Sequence, residues 1–116
     1  SSAASDVYKR QGYDHPFVID GWQPNILGEV GTLREPRSGR SVTVLSSQPS
    51  VMVYTGNWLA GGCPETKTGG RYNDYDGVAI ECQNYPDAVN HPEFPSPLLR
   101  PGETYCQKIV FRFGNC

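Results

Sequence analysis

The apolar positions of this chain fall in short runs, never at the three-to-four-residue spacing of a helix with one buried face. Segments rich in Val, Ile, Tyr, Phe and Thr are broken every few residues by the 13 glycines and 10 prolines. This punctuation predicts an all-β chain. Phe17–Asp20 reads as a short strand closed by Gly21. Leu27–Arg34 and Arg40–Ser46 alternate with a period of two, and "EPRSGR" between them supplies Pro36 and Gly39, so a hairpin is expected. Val51–Thr55 reads as a further strand ended by "TGN". A long glycine-rich loop then leads to Val78–Gln83, and a proline-rich loop leads to a last strand over Tyr105–Phe113. In that strand Tyr105, Gln107, Ile109, Phe111 and Phe113 share one face, expected to pack, while Cys106, Lys108, Val110 and Arg112 share a wetter one. "PSPLLRPGE" should cross between strands in extended form with a Pro-Gly turn.

Composition narrows the possible functions. The 116 residues suffice for one ordinary domain, and 37% hydrophobic with 19% charged residues is a globular balance. A net charge of -2 leaves no basic surface for phosphates, which argues against a nucleic-acid partner. No stretch approaches the roughly 18 apolar residues of a membrane helix, and the start lacks the apolar core of a signal peptide. No membrane partner is expected. Cys63, Cys82, Cys106 and Cys116 form no CxxC pair and are expected to be reduced thiols in a cytoplasmic protein. The only methionine is Met52, and "SSAASDVYKRQ" has no period where "GYDHPFVIDG" is patterned at once. The chain therefore reads as a fragment, with Ser1–Gln11 foreign to the domain or disordered and 12–116 its structured part.

The chemistry centres on "VAIECQ". Val78, Ile80 and Cys82 share one face; Ala79, Glu81 and Gln83 share the other. Two readings of Glu81 stand side by side: a half-exposed strand shows water its polar face, or this face lines a cleft in which the carboxylate takes up a proton. Asp74 and Asp76 in "NDYDG" lack the further ligands of a calcium loop and read as a turn. His15 and His91 each precede proline and form no metal pattern, and no GxSxG elbow supports a serine nucleophile. Trp22, Trp58, Tyr54 and Tyr85 are candidates to stack on a sugar ring or to fill the core.

Taken together, "GYDHPFVIDG", "LREPRSGRSVTVLSSQPSVMVYTGNWL", "GVAIECQNYPDAVNHPEFPSPLLRPGETY" and "FRF" resemble the C-terminal portion of the aldose 1-epimerases, the galactose mutarotases. The resemblance runs from Gly12 to Phe113. It implies the C-terminal fragment of a large antiparallel β-sandwich, the galactose mutarotase-like supersandwich. It also implies an isomerase interconverting the anomers of galactose or glucose by general acid-base ring opening, with no metal and no other cofactor. The family's general base, the glutamate of "E-x-Q-x-x-P-D", falls on Glu81, and its sugar-binding aspartate of "Y-D-H" falls on Asp14. Where the family often has a sugar-contacting glutamine, this chain has Met52. The family's general-acid histidine, second histidine and arginine match no position here, so the fragment alone is expected to be inactive. Two alternatives remain in view: a noncatalytic carbohydrate-binding sandwich, and a hexose-6-phosphate epimerase using Arg71 or Arg100 to hold the phosphate.

Overall fold

A computed structural model describes residues 12–62 and 65–115. Ser1–Gln11, read from the sequence as foreign or disordered, lies outside the described residues, as do Cys63 and Cys116. The elements are β1 (Asp14–Val18), β2 (Gly28–Arg34), β3 (Arg40–Ser46), β4 (Ser50–Tyr54), β5 (Ala79–Gln83), a single 3-10 turn at Ala88–Asn90, and β6 (Ile109–Asn115). They make two antiparallel three-stranded sheets, ordered β1-β4-β5 and β2-β3-β6. The all-β expectation is met.

The chain divides into two compact units, one combining residues up to Pro16 with Met52–Glu81, the other combining Phe17–Val51 with residues from Cys82 onward. In the second unit the expected hairpin is present. Leu33 pairs with Val42 and Thr32 with Thr43, whose hydroxyls meet at 2.8 Å. Its turn closes through Glu35 N–H to the Arg40 carbonyl at 2.8 Å, with Gly39 at φ 72°, a conformation glycine adopts without strain. The Glu35 carboxylate also accepts the Arg37 and Ser38 N–H groups at 2.8 and 2.7 Å. The Pro-Gly turn is present too: Glu103 N–H reaches the Arg100 carbonyl at 3.0 Å over Gly102 at φ 87°.

Three expectations need correction. β1 begins at Asp14 rather than Phe17, because backbone bonds from Thr55 hold Tyr13 and extend the strand toward the N-terminus. The last strand begins at Ile109 rather than Tyr105: Ser47 takes up the stretch before it by bonding Gln107 and Lys108 through its side chain. The apolar face of β6 was expected to pack. Instead every residue of the strand is exposed, and Phe113 is 81% accessible. Its row continues through Val42 to the exposed Leu33, at the open end of a face on which Val44 and Ser46 are buried, opposite the polar row of Thr32, Thr43 and Arg112.

The most buried stretch of the second unit is polar. Val44 and Ser46–Val51 are buried, with Ser46, Pro49 and Ser50 almost wholly so. Buried hydroxyls and amides are tolerated only when bonded, and here the partners are dense. Ser47 N–H donates to the Lys108 carbonyl at 3.0 Å, and Ser47 Oγ donates to Gln107 Oε1 at 2.6 Å while accepting Lys108 N–H at 2.9 Å. Ser50 Oγ donates to the Gln83 carbonyl at 2.8 Å. Trp22 Nε1 donates to the Ser47 carbonyl, also at 2.8 Å. Gln48 Nε2 donates to the Tyr105 hydroxyl at 3.1 Å.

Candidate active site

In the first unit the two family-matched carboxylates lie on the strands that flank β4: Asp14 on β1 and Glu81 on β5. The motifs "GYDH" and "YTGN" interlock to set Asp14 in place. Thr55 N–H donates to the Tyr13 carbonyl at 3.0 Å, and Tyr13 N–H donates to Thr55 Oγ1 at 2.8 Å. Asn57 Nδ2 adds a bond to the same carbonyl at 3.3 Å, and its Oδ1 accepts the Thr55 hydroxyl at 2.6 Å. A Cβ at position 12 would overlap the Asn57 side chain, so the approach requires Gly12.

Antiparallel pairing of Tyr13 with Thr55 puts Asp14 across from Tyr54, with their side chains on one face. Met52, two residues along, shares it. At the far end of β4 the chain turns at Gly56, φ 71°, whose carbonyl accepts Tyr75 N–H at 2.8 Å. An added Cβ there would meet the Gly77 carbonyl at 2.8 Å. Asp14, Tyr54 and Met52 thus share one face of the sheet, and Glu81 stands on β5, across β4 from the strand of Asp14.

Asp14 and Glu81 are both exposed. Of the two readings weighed from the sequence, the chain by itself presents the open one, a carboxylate facing solvent. A hollow of about 360 Å³ in this unit is walled by Trp58, Leu59, Tyr72 and Asp76 and includes neither carboxylate. The "NDYDG" stretch is a turn, with Asp76 N–H on the Asn73 carbonyl at 3.2 Å and Asp74 Oδ1 accepting Ala60 N–H at 3.0 Å. Among the described residues no three acidic, histidine or cysteine side chains gather as metal ligands would.

The remaining candidates are dispersed. Trp22 belongs to the second unit, pinned by Ser47. Tyr85 packs edge-on against Phe94, with ring centroids 4.8 Å apart. His91 stacks on Phe94 at 5.0 Å and lies 3.2 Å from both Asp87 and Glu93, a packing role. Arg71 and Arg100 are exposed. Sequence reasoning did not single out Thr55 and Asn57, although their motif was in view: both act through the Tyr13 backbone, which no pattern of residue types displays.

Fold and site define an all-β protein built of two antiparallel sheets, one of which carries a pair of carboxylates on the strands flanking its centre. The family model described as "Aldose 1-epimerase" matches residues 2–112. The chain is 40% identical over 108 residues to a galactose mutarotase of Mus musculus, covering 92% of this chain and 30% of that protein. It is 41% identical over 103 residues to a galactose mutarotase of Homo sapiens, covering 89% and 29%. An aldose 1-epimerase of Haemophilus influenzae is 38% identical over 112 residues, covering 93% and 31%. The chain belongs to the aldose 1-epimerase family. It spans about three tenths of the length of these curated relatives.

Proposed function

We propose that this chain supplies the general base, Glu81, and a substrate-holding carboxylate, Asp14, to an enzyme interconverting the α and β anomers of galactose and glucose. Supporting this reading is the position of the two carboxylates on strands either side of β4. Neighbouring strands are about 4.8 Å apart, so β1 and β5 are separated by roughly 10 Å, a gap that two inward-leaning side chains and one pyranose ring fill.

In the proposed reaction Glu81 takes the proton of the C1 hydroxyl as an acid protonates the ring oxygen. The bond from C1 to the ring oxygen breaks, giving the open-chain aldehyde. Rotation about the C1–C2 bond presents the other carbonyl face, and the two proton transfers run in reverse as the ring closes. Asp14 accepts hydrogen bonds from sugar hydroxyls and holds the ring through the cycle. The acid comes from residues other than those of this chain, since neither His15, within β1, nor His91, stacked on Phe94, matches the family's position. The chain on its own is therefore inactive. Exposure of Glu81 here accords with that: a proton acceptor near neutral pH needs surroundings that withdraw it from water.

Polarimetry of galactose and glucose anomer conversion by the full enzyme tests the assignment. Glu81→Gln should lower kcat by about a hundredfold to ten-thousandfold, the range for a positioned acid or base, with KM little changed. Asp14→Ala should act mainly on KM. An unchanged kcat in Glu81→Gln would refute the role of Glu81.

A further inference from the structure

Aspartate precedes glycine twice in the chain, at Asp20–Gly21 and at Asp76–Gly77. The dipeptide has a chemistry of its own. The side-chain carboxyl carbon of the aspartate lies within reach of the next backbone nitrogen, and a bond between them closes a five-membered imide. Glycine, with no Cβ, leaves that nitrogen open to approach. Both aspartates are exposed, so solvent access does not distinguish them. What holds them in place does.

Asp20 and Gly21 are the free middle of a turn whose ends are fixed. Ile19 is buried, and its N–H donates to the Pro49 carbonyl at 3.1 Å. Trp22 is pinned through Nε1 to the Ser47 carbonyl at 2.8 Å. The turn between them is closed by Trp22 N–H on the Ile19 carbonyl at 3.3 Å, just past the usual range for such a bond. Among the described residues, neither the Asp20 carboxylate nor the Gly21 N–H has a hydrogen-bond partner. Gly21 sits at φ 69° with nothing within 4 Å of the place a Cβ would take. Ring closure must swing the Asp20–Gly21 peptide, and at Gly21 that movement meets open space.

Asp76 is held instead. Its Oδ2 accepts the Asn73 N–H at 2.8 Å and Asn73 Nδ2 at 3.3 Å, and its own N–H donates to the Asn73 carbonyl at 3.2 Å. The Gly77 carbonyl is packed closely against Gly56. Closing an imide there would break the carboxylate's hydrogen bonds and displace a packed backbone.

We propose that Asp20 is a site of spontaneous covalent modification in the folded chain, from aspartate to isoaspartate, and that its turn protects Asp76 from the same change. The Gly21 nitrogen attacks Asp20 Cγ, and the amide proton leaves with the hydroxyl of the carboxyl group as one water. Water then adds back to the imide. Breaking the new bond from nitrogen to Cγ restores aspartate. Breaking the original peptide bond leaves the chain running through Cβ and Cγ, with the α-carboxylate free and one extra backbone atom between Ile19 and Trp22. Nothing is oxidised or reduced. The change involves neither Asp14 nor Glu81 and does not depend on the epimerase chemistry proposed for them.

The full chain, kept folded at neutral pH and body temperature for several weeks, tests this by peptide mapping. Isoaspartate is read by its shifted retention and by an isoaspartyl methyltransferase, which moves a methyl group from S-adenosylmethionine to the free α-carboxylate and releases S-adenosylhomocysteine. Position 20 should accumulate it about tenfold faster than position 76 or more, the factor that one hydrogen bond to a charged group adds to a barrier. In the urea-unfolded chain the two positions should react at similar rates, since the holding contacts of Asp76 are gone. Asp20→Glu, whose longer side chain would have to close a six-membered ring, should abolish the signal at position 20. The proposal is overturned if position 20 stays unmodified in the folded chain, if positions 20 and 76 react equally there, or if the same imbalance persists in urea.

Discussion

Tyr13 and Thr55 grip each other twice: Thr55 N–H donates to the Tyr13 carbonyl at 3.0 Å, and Tyr13 N–H donates to the Thr55 side-chain oxygen at 2.8 Å. The grip fixes the residue before Asp14 to the residue after Tyr54, at the end of the sheet that carries both carboxylates. Thr55→Val keeps the shape and removes the hydroxyl, and with it the bonds that hydroxyl makes with the Tyr13 N–H and the Asn57 Oδ1. A stability loss of about 1–2 kcal/mol is expected, with faster hydrogen exchange at the Tyr13 amide. Unchanged exchange there would mean the side-chain bond does not hold β1.

Gly56 carries two constraints at once, a φ of 71° and the Gly77 carbonyl 2.8 Å from where a Cβ would stand. Gly61, at φ 84°, has open space around it. Gly61→Ala should therefore cost about 1 kcal/mol from backbone strain alone. Gly56→Ala should cost clearly more, because the backbone carbonyl must also shift. Chemical denaturation of the two variants side by side measures the difference, and equal midpoints would contradict the close approach.

Glu35 holds the hairpin turn as a carboxylate. Hydrogen bonds from the Ser38 side chain and from the Arg37 and Ser38 backbone keep its pKa below the ordinary value. A carboxyl whose folded pKa is depressed contributes stability above its unfolded pKa and loses it as the pH falls through the folded one. The turn should accordingly loosen on acidification across the carboxylate range. Amide exchange at Arg37 and Ser38, corrected for its intrinsic pH dependence, should rise there, and Glu35→Gln should abolish the added pH dependence.

The two described thiols differ. Cys106 is exposed, whereas Cys82 is half-buried and burial raises its pKa, only partly opposed by a hydrogen bond with Ser46. The thiolate is the reactive form, so at mildly alkaline pH Cys106 should alkylate well before Cys82. Peptide mapping after brief treatment with iodoacetamide reads the order; simultaneous labelling would show that the β5 environment is open.

How much of this was legible beforehand varies by element, for physical reasons. β2 and β3 were readable almost to the residue because local alternation and the turn chemistry of "EPRSGR" agree. β1 was placed too late, since its first residues are held by the distant "YTGN" stretch and not by their own pattern. "SSQPS" has the composition of a loop, and only the hydrogen bonds its side chains donate to sequence-remote residues explain its burial. The β6 pattern correctly separated an apolar row from a polar one. Pattern alone does not tell whether a layer covers that row. Asp14 and Glu81 were found through family motifs, and neither exposure nor alternation distinguishes them from ordinary surface carboxylates.

The serine-rich interior has a thermodynamic consequence. Exposing apolar surface on unfolding raises the heat capacity, while exposing polar surface lowers it. A unit whose deepest residues are Ser46, Pro49 and Ser50 beside Val44 should therefore have a small heat-capacity increment for its size. Its stability curve would be shallow, with cohesion that is largely enthalpic and that cooling weakens less than it would an aliphatic interior.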